Sequence, residues 1–283
     1  MCIEKQIEFL SYDNDYLGIA FTMNSLILFT VGAVILGIFI SFRNTPVVKA
    51  NNRNLSFILL VSIKLSFLSV FLFLGRPSDI TCMLRQTSFG NTFSIAVSCV
   101  LAKTILVYIV FKATKPGSSW SKWVGAKLSH YIVLVCSFIQ ILITVLWLSI
   151  SPPFVEYNII SEPGKIIIQC NEGSVVAFYI VLSYMGLLAS LSFIVAFLAR
   201  TLPDSFNEAK YITFSMLLFC SVWITMIPAY LSTKGKNTVC VEIFAIITSS
   251  CGLLFCIFLP KCYIILLKPE MNSKQYLLGN PNK

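Results

Sequence analysis

Residues 201–230 have the sequence TLPDSFNEAKYITFSMLLFCSVWITMIPAY, and the two parts of this stretch differ sharply in polarity. The first part is polar and includes Asp204, Glu208 and Lys210. The second part, 211–230, carries no charge and is long enough to cross a bilayer as a helix at ~1.5 Å per residue. Pro228 lies near the end of this run, where it can kink the helix. The pattern predicts a transmembrane helix that follows a charged loop.

The composition of the whole chain indicates a membrane protein. Of its 283 residues, 57% are hydrophobic and 12% are charged, whereas a soluble domain is about a quarter charged. The basic residues lie mostly in short segments between apolar runs, so the net charge of +9 does not indicate a nucleic-acid partner. The chain is therefore expected to span the lipid bilayer several times.

Seven apolar runs predict the fold class, an all-α bundle of seven transmembrane helices. The runs cover residues 17–42, 55–74, 82–111, 128–150, 174–199, 211–231 and 240–267. The connections between them are too short for a second globular domain. We therefore divide the chain into an extracellular stub (1–16), a membrane domain (17–270) and a short cytosolic tail (271–283).

The distribution of lysine and arginine predicts the orientation of this bundle. Twelve of these residues lie in the first, third and fifth connections and the C-terminal tail, and five lie before the first run and in the second, fourth and sixth connections. Cytosolic loops carry the excess of positive charge in membrane proteins. The N-terminus is therefore expected outside the cell and the C-terminus in the cytosol.

Several motifs resemble those of a known family. They are RNTPVVKANNRNLS at 43–56, TCMLRQTSFG at 81–90, SCVLAKT at 98–104, LPDSFNEAKYITFSML at 202–217 with FCSVWITMIPAY after it, and PKCYIILLKPEMN at 260–272. Together they resemble the membrane domain of class C (family 3) G-protein-coupled receptors, and most strongly the vomeronasal type-2 and olfactory members. The resemblance extends from residue 4 to residue 272.

The resemblance implies a receptor of the plasma membrane that crosses it several times and has no enzymatic activity and no cofactor. It would transmit a conformational change to a cytosolic heterotrimeric G protein, in a chemosensory role, and would form a homo- or heterodimer. Full-length members carry a ligand-binding domain and a cysteine-rich domain before the first helix, and residues 2–12 look like the join to them. Alone, the chain is thus not expected to respond to an extracellular ligand. Two alternatives stay open: a seven-helix transporter or channel, and a non-signalling truncated product that only dimerises with intact receptors.

A disulfide between Cys82 and Cys170 matches the family pattern. Cys82 opens the third apolar run, and Cys170 lies late in the second outer loop. Such a bond would tie that loop over the bundle in an oxidising compartment. The alternative is a pair of free thiols. The remaining cysteines lack the spacing of a metal site.

The resemblance also implies an ionic lock between Lys103 and Glu208. Lys103 lies twenty-one residues after Cys82, which places it ~31 Å further along the third helix, at the cytosolic boundary. Glu208 precedes the apolar part of the sixth helix at the same boundary. In class C receptors the matching pair closes in the resting state. The alternative is that both side chains are solvated, and such an exposed pair contributes only ~0–1 kcal/mol.

The cytosolic loops are the expected surface for the G protein. The candidate contact residues are Lys112, Lys115, Lys122, Lys127, Arg200, Phe206, Asn207 and Lys210.

Four residues are candidates for a modulator pocket and switch: Arg85, Trp223, Pro228 and Glu242. Glu242 lies just inside the outer face, and in calcium-sensing members of the family the matching glutamate faces the modulator pocket. Arg85 is its candidate partner of opposite charge. The alternatives are a routine kink at Pro228, ordinary packing of Trp223, and an Arg85 and a Glu242 that both reach water.

Two lysines in apolar runs have no predicted partner. Lys64 lies ~14 Å along the second helix, and all twelve acidic residues lie in loops or near helix ends. An unpaired charge at this depth costs about 3 kcal/mol or more, and the sequence assigns it no role. Lys261 lies near the cytosolic end of the seventh run, where no buried acid is expected beside it.

Overall fold

The computed structural model describes residues 6–12, 15–113, 126–159, 165–200 and 208–272, and seven long helices dominate this part of the chain. They are α1 (Tyr16–Ser41), α3 (Arg53–Ser69), α4 (Asp79–Ala113), α5 (Ala126–Ile150), α6 (Val175–Ala199), α7 (Glu208–Ser232) and α8 (Lys236–Leu267). Each of the seven is long and apolar enough to cross a membrane. The predicted all-α, seven-helix bundle is confirmed.

Helices α7 and α8 begin several residues before the apolar runs that predicted them. Helix α7 begins at Glu208, so this residue lies in the first helical turn and not in the preceding loop. Helix α8 begins at Lys236, four residues before the predicted run. A short helix, α2 (Pro46–Ala50), precedes α3 and was not predicted.

Helix α4 is the central helix of the bundle. It packs against α3, α5, α6 and α7, and 67% of its apolar span is buried, compared with 22% for α5 at the periphery. Helix α8 packs between α7 and the α1–α3 pair. The core contains large aromatic side chains such as Phe39 and Phe258, whose rings meet edge to face at 5.4 Å.

A three-stranded sheet covers one end of the bundle, and the sequence did not predict it. Strands β2 (Phe154–Asn158) and β3 (Lys165–Asn171) form an antiparallel hairpin between α5 and α6. Strand β1 (Gln6–Glu8) pairs in parallel with β3, which gives the order β1-β3-β2. Residues 6–8, which precede α1, are thus part of a folded layer.

A disulfide anchors this sheet to the central helix. Cys82, in the first turn of α4, is bonded to Cys170 in β3, with 5.5 Å between their Cα atoms. The predicted pairing is confirmed. We call this side of the bundle the disulfide end, and the opposite side the Asn51 end.

Residues 10–12 lie against the loop between α3 and α4 at the disulfide end. The Gly75 amide donates to the Leu10 carbonyl at 2.8 Å, and the Tyr12 hydroxyl donates to the Phe71 carbonyl at 2.7 Å. Gly75 has a φ of +88°, and a Cβ there would come within 2.6 Å of the Tyr12 ring. Glycine therefore suits this position for both its backbone angle and its size.

Candidate functional site

Glu208 is the centre of a buried polar cluster at the Asn51 end. Its Oε1 atom accepts a hydrogen bond from Lys261 Nζ of α8 at 2.7 Å. The same oxygen lies 3.5 Å from Lys103 Nζ of α4. All three side chains are buried, with residue exposures of 8%, 3% and 2% for Glu208, Lys261 and Lys103. The solvated alternative for the Lys103–Glu208 pair is therefore wrong, and the pair belongs to a larger cluster.

Asn51 connects both lysines to the first loop, which is the segment between α1 and α3. Lys103 Nζ donates to the Asn51 carbonyl and to Asn51 Oδ1, each at 2.7 Å, and to Ser56 Oγ at 2.8 Å. Lys261 Nζ also donates to Asn51 Oδ1. We call Asn51, Lys103, Glu208 and Lys261 the Glu208 cluster. It joins α4, α7 and α8 to the turn between α2 and α3.

The local sequence explains why Asn51 reaches the bundle interior. Helix α2 ends at Ala50, and Asn52 adopts a left-handed backbone with φ of 50°, which interrupts the helical backbone before α3. Asparagine tolerates this conformation better than most residues. Ser56 Oγ donates to the Asn51 carbonyl at 3.0 Å and holds the turn from the α3 side.

The charges of the cluster explain its energetic importance. One carboxylate faces two ammonium groups in a buried setting, and removal of one partner from such a pair typically costs ~3–5 kcal/mol because a charge is left uncompensated. The sequence identified the Lys103–Glu208 contact but missed Lys261 and Asn51. The expectation that no buried acid accompanies Lys261 is wrong, because Glu208 is buried in the first turn of α7.

A second buried ion pair lies toward the disulfide end. Arg85 Nη2 of α4 is 3.5 Å from Glu242 Oε2 of α8, and the Arg85 guanidinium carbon lies 4.9 Å from the centre of the Phe73 ring. Arg85 and Glu242 are only 5% and 6% exposed. The predicted neighbours are thus paired inside the bundle, and the alternative that both extend to water is wrong.

Trp223 and Glu242 line the same narrow space inside the bundle. Its other lining residues include Gln86, Phe89 and Met226, and the Phe89 and Trp223 ring centres are 5.2 Å apart. Trp223 also borders an apolar groove between α6 and α7. Pro228 lines neither space, because it lies on the exposed side of α7.

Two glutamates connect the sheet to the helices at the disulfide end. Glu172, just after β3, accepts a hydrogen bond from the Tyr230 hydroxyl at 2.9 Å and, through its carbonyl, from Trp147 Nε1 at 3.1 Å. Glu8 of β1 forms ion pairs with Lys165 at 2.9 Å and with Lys236 at 3.0 Å. Hydrogen bonds from these two lysines hold the pKa of Glu8 below its usual value.

Comparison with known proteins shows the family. The family profile that matches residues 12–261 is described as "7 transmembrane sweet-taste receptor of 3 GCPR". This match covers most of the chain. The chain belongs to the class C family of G-protein-coupled receptors. It is thus a multi-pass protein of the plasma membrane in a family of receptors, not of enzymes.

The relatives of this class C chain include mouse and human receptors. It is 54% identical over 274 residues to vomeronasal type-2 receptor 26 of Mus musculus, which covers 97% of the chain and 32% of that receptor. It is 49% identical over 272 residues to the extracellular calcium-sensing receptor of Homo sapiens, which covers 96% of the chain and 25% of that receptor. The chain therefore spans about a third or a quarter of the length of these relatives.

The class C bundle places some of the expected G-protein residues at the Asn51 end. Lys127, Arg200 and Lys210 lie there at helix ends and are exposed, and the Arg200 guanidinium carbon lies 3.6 Å from the centre of the Phe197 ring. Lys112 belongs to α4, but its side chain is outside the described part. Lys115, Lys122, Phe206 and Asn207 are likewise outside the described residues.

Proposed function

We propose that this chain is the signalling half of a class C receptor, which transmits a conformational change across the membrane to a heterotrimeric G protein and performs no chemistry of its own. Family membership supports this proposal. The observation that carries it is the Glu208 cluster, a buried ionic contact between three helices at one end of the bundle. An ionic contact that is formed in one conformational state and broken in another lowers the free energy of the first state relative to the second.

The proposed mechanism follows from what the Glu208 cluster joins. In the resting state, Glu208 fixes the first turn of α7 to α8 and α4, and Asn51 fixes both lysines to the first loop. Activation would move the start of α7 away from Lys103 and Lys261 and uncover a surface for the G protein. A difference of a few kcal/mol between the two states is sufficient for such a switch.

The orientation proposed for this mechanism puts the disulfide end outside the cell and the Asn51 end in the cytosol. The excess of lysine and arginine in the connections at the Asn51 end supports it. The Cys82–Cys170 bond also supports it, because disulfides persist in oxidising compartments. The exposed Lys127, Arg200 and Lys210 would then face the G protein.

A chemosensory role and a dimeric state complete the proposal. The similarity to a receptor named vomeronasal type-2 supports the first, at 54% identity. Dimerisation with an identical or a different class C chain is proposed from the family alone.

The experiment that tests this function measures basal nucleotide exchange on an added G protein by a full-length chimera that carries this membrane domain. Glu208→Gln should raise basal exchange, normalised to surface expression, because it removes the negative charge that both lysines contact. Glu270→Gln is the matched control, since it removes an exposed carboxylate at the Asn51 end that lies outside the cluster. If Glu208→Gln raises basal exchange no more than Glu270→Gln does, the proposed lock is wrong.

A further inference from the structure

Lys64 lies near the middle of the bilayer, in the contact between α1 and α3. It follows the start of α3 at Arg53 by eleven residues and precedes Leu72, the end of the same span, by eight. Its Nζ atom lies 4.6 Å from the centre of the Phe29 ring. Phe29 is thirteen residues after the first residue of α1 and twelve before its last. Both residues therefore lie close to the midplane.

The side chain of Lys64 lies at the lipid-facing surface and is not buried in the core. Val61, Leu65 and Leu68 surround it at helical spacing on α3, and they are 46%, 46% and 39% exposed. Lys64 itself is partly exposed. Gly32 of α1 makes room for it, since a Cβ at that position would lie 3.1 Å from Lys64 Cγ. The Lys64 ammonium group therefore lies beside α1, at a surface that faces the hydrocarbon region of the bilayer.

No carboxylate balances this cation in the part of the chain that the structure describes. The acid that lies deepest within a helix there, Glu242, is six residues into α8 and is paired with Arg85. Glu208 lies in the first turn of α7, within the Glu208 cluster. Charged residues inside a membrane usually pair with a partner or line a functional path. The aromatic face of Phe29 attracts the ammonium group but carries no charge.

We propose that the α1–α3 face around Lys64 binds a transmembrane helix of a different membrane protein, one that carries an aspartate or glutamate near the middle of the bilayer. The carboxylate would replace the missing counter-charge at the depth of Phe29. The exposed Val61, Leu65 and Leu68 would pack against the apolar remainder of that helix. This interaction is separate from the proposed coupling to a G protein at the Asn51 end.

A second copy of this chain does not fit the requirement. The acidic residues that the structure describes lie in the sheet, in loops or near helix ends, and the others lie outside the apolar runs of the sequence, so a copy offers no carboxylate at the required depth in these segments. A symmetric dimer through this face would also bring two Lys64 ammonium groups together, and like charges repel strongly where water is absent. The partner is therefore a different protein.

A designed single-span helix of leucine and alanine with one central glutamate is a suitable probe. It is co-expressed with the full chain, and energy transfer between fluorophores on the two proteins measures their association. The matched probe has glutamine in place of glutamate. The glutamate probe should associate about fivefold more than the glutamine probe. Lys64→Met should abolish this difference, whereas Lys49→Met, which removes an exposed lysine at a helix end, should preserve it.

Three further tests locate the contact and guard against misfolding. A photo-crosslinking residue at Val61 should capture the glutamate probe, whereas one at Leu134, on the exposed face of α5, should not. When the charges are exchanged, the Lys64→Glu variant should associate with a probe that has a central lysine. An intact Cys82–Cys170 bond confirms the fold of each variant. Equal association of the glutamate and glutamine probes, or an undiminished preference in Lys64→Met, would overturn the proposal.

Discussion

Glu208 is closer to Lys261 than to Lys103: the two Nζ–Oε1 distances are 2.7 and 3.5 Å. Lys103 instead makes its shortest contacts with Asn51 and Ser56. The carboxylate of α7 is therefore held mainly from α8, and the lysine of α4 is held mainly from the first loop. The lock is a shared cluster and not a single pair of residues.

The first prediction separates the two lysines. Lys261→Met should raise basal nucleotide exchange of a full-length chimera about fivefold or more, and by more than Lys103→Met, because it removes the shorter contact to Glu208. Combining Lys103→Glu with Glu208→Lys should restore only part of the resting level, since Lys261 then faces a lysine. Basal exchange that rises in Lys103→Met but not in Lys261→Met would contradict this order.

The second prediction concerns the buried Arg85–Glu242 pair. Glu242→Gln should lower the free energy of unfolding by ~3–5 kcal/mol, because it leaves the Arg85 charge uncompensated inside the bundle. The double variant with Arg85→Met should recover most of this loss. The measurement is the midpoint of thermal unfolding of the purified protein, which falls as the free energy of unfolding falls. Lys234→Met, which removes an exposed charge nearby, is the control. A Glu242→Gln variant as stable as Lys234→Met would show that the pair does not stabilise the fold.

The third prediction concerns the Cys82–Cys170 bond. It closes a loop with a sequence separation of 88 residues, for which loop entropy gives a stabilisation of about 4.5 kcal/mol. Replacing either cysteine by serine should reduce surface expression, and replacing both should be no worse than replacing one. Cys240→Ser is the matched control, because Cys240 is free and also lies toward the disulfide end. Mass spectrometry that finds both thiols free in the unreduced protein would rule out the bond.

The fourth prediction concerns pH. Hydrogen bonds from Lys165 and Lys236 lower the pKa of Glu8 from its usual 4.5 in the folded protein. The stabilisation from these contacts is therefore fully present above pH 4.5 and is lost as the pH falls through the lowered pKa. Each partly exposed pair contributes only ~0–1 kcal/mol.

Hydrogen exchange of the β1 and β3 amides measures this effect. Glu8→Gln should weaken amide protection in both strands at neutral pH and should remove the extra loss of protection on acidification. Glu270→Gln, at the opposite end of the bundle, serves as the control and should change neither. Unchanged protection of β1 in Glu8→Gln would show that backbone pairing alone holds the strand.

The Glu208 cluster shows how far the sequence predicts the site. Lys103 and Glu208 were identified because each lies in a short motif that resembles the family and at the same calculated depth. Lys261 was missed although it also lies in such a motif, because the family resemblance implied one partner for Glu208 and the apolar run placed Glu208 before the start of the sixth helix. Helix α7 begins about one turn before the apolar run, so Glu208 is helical and buried.

The sequence by itself determined the seven spans and the family, and the family resemblance implied the Cys82–Cys170 pair. Each span is a local property, because its length and lack of charge are read from consecutive residues. Only the tertiary structure decided which side of each helix faces the core and which partners meet there. In a membrane the surface is as apolar as the interior, so the periodic pattern that marks the buried face of a soluble helix is absent. Contacts such as Glu208 with Lys261 and β1 with β3 depend on how distant segments pack, and no local pattern encodes them.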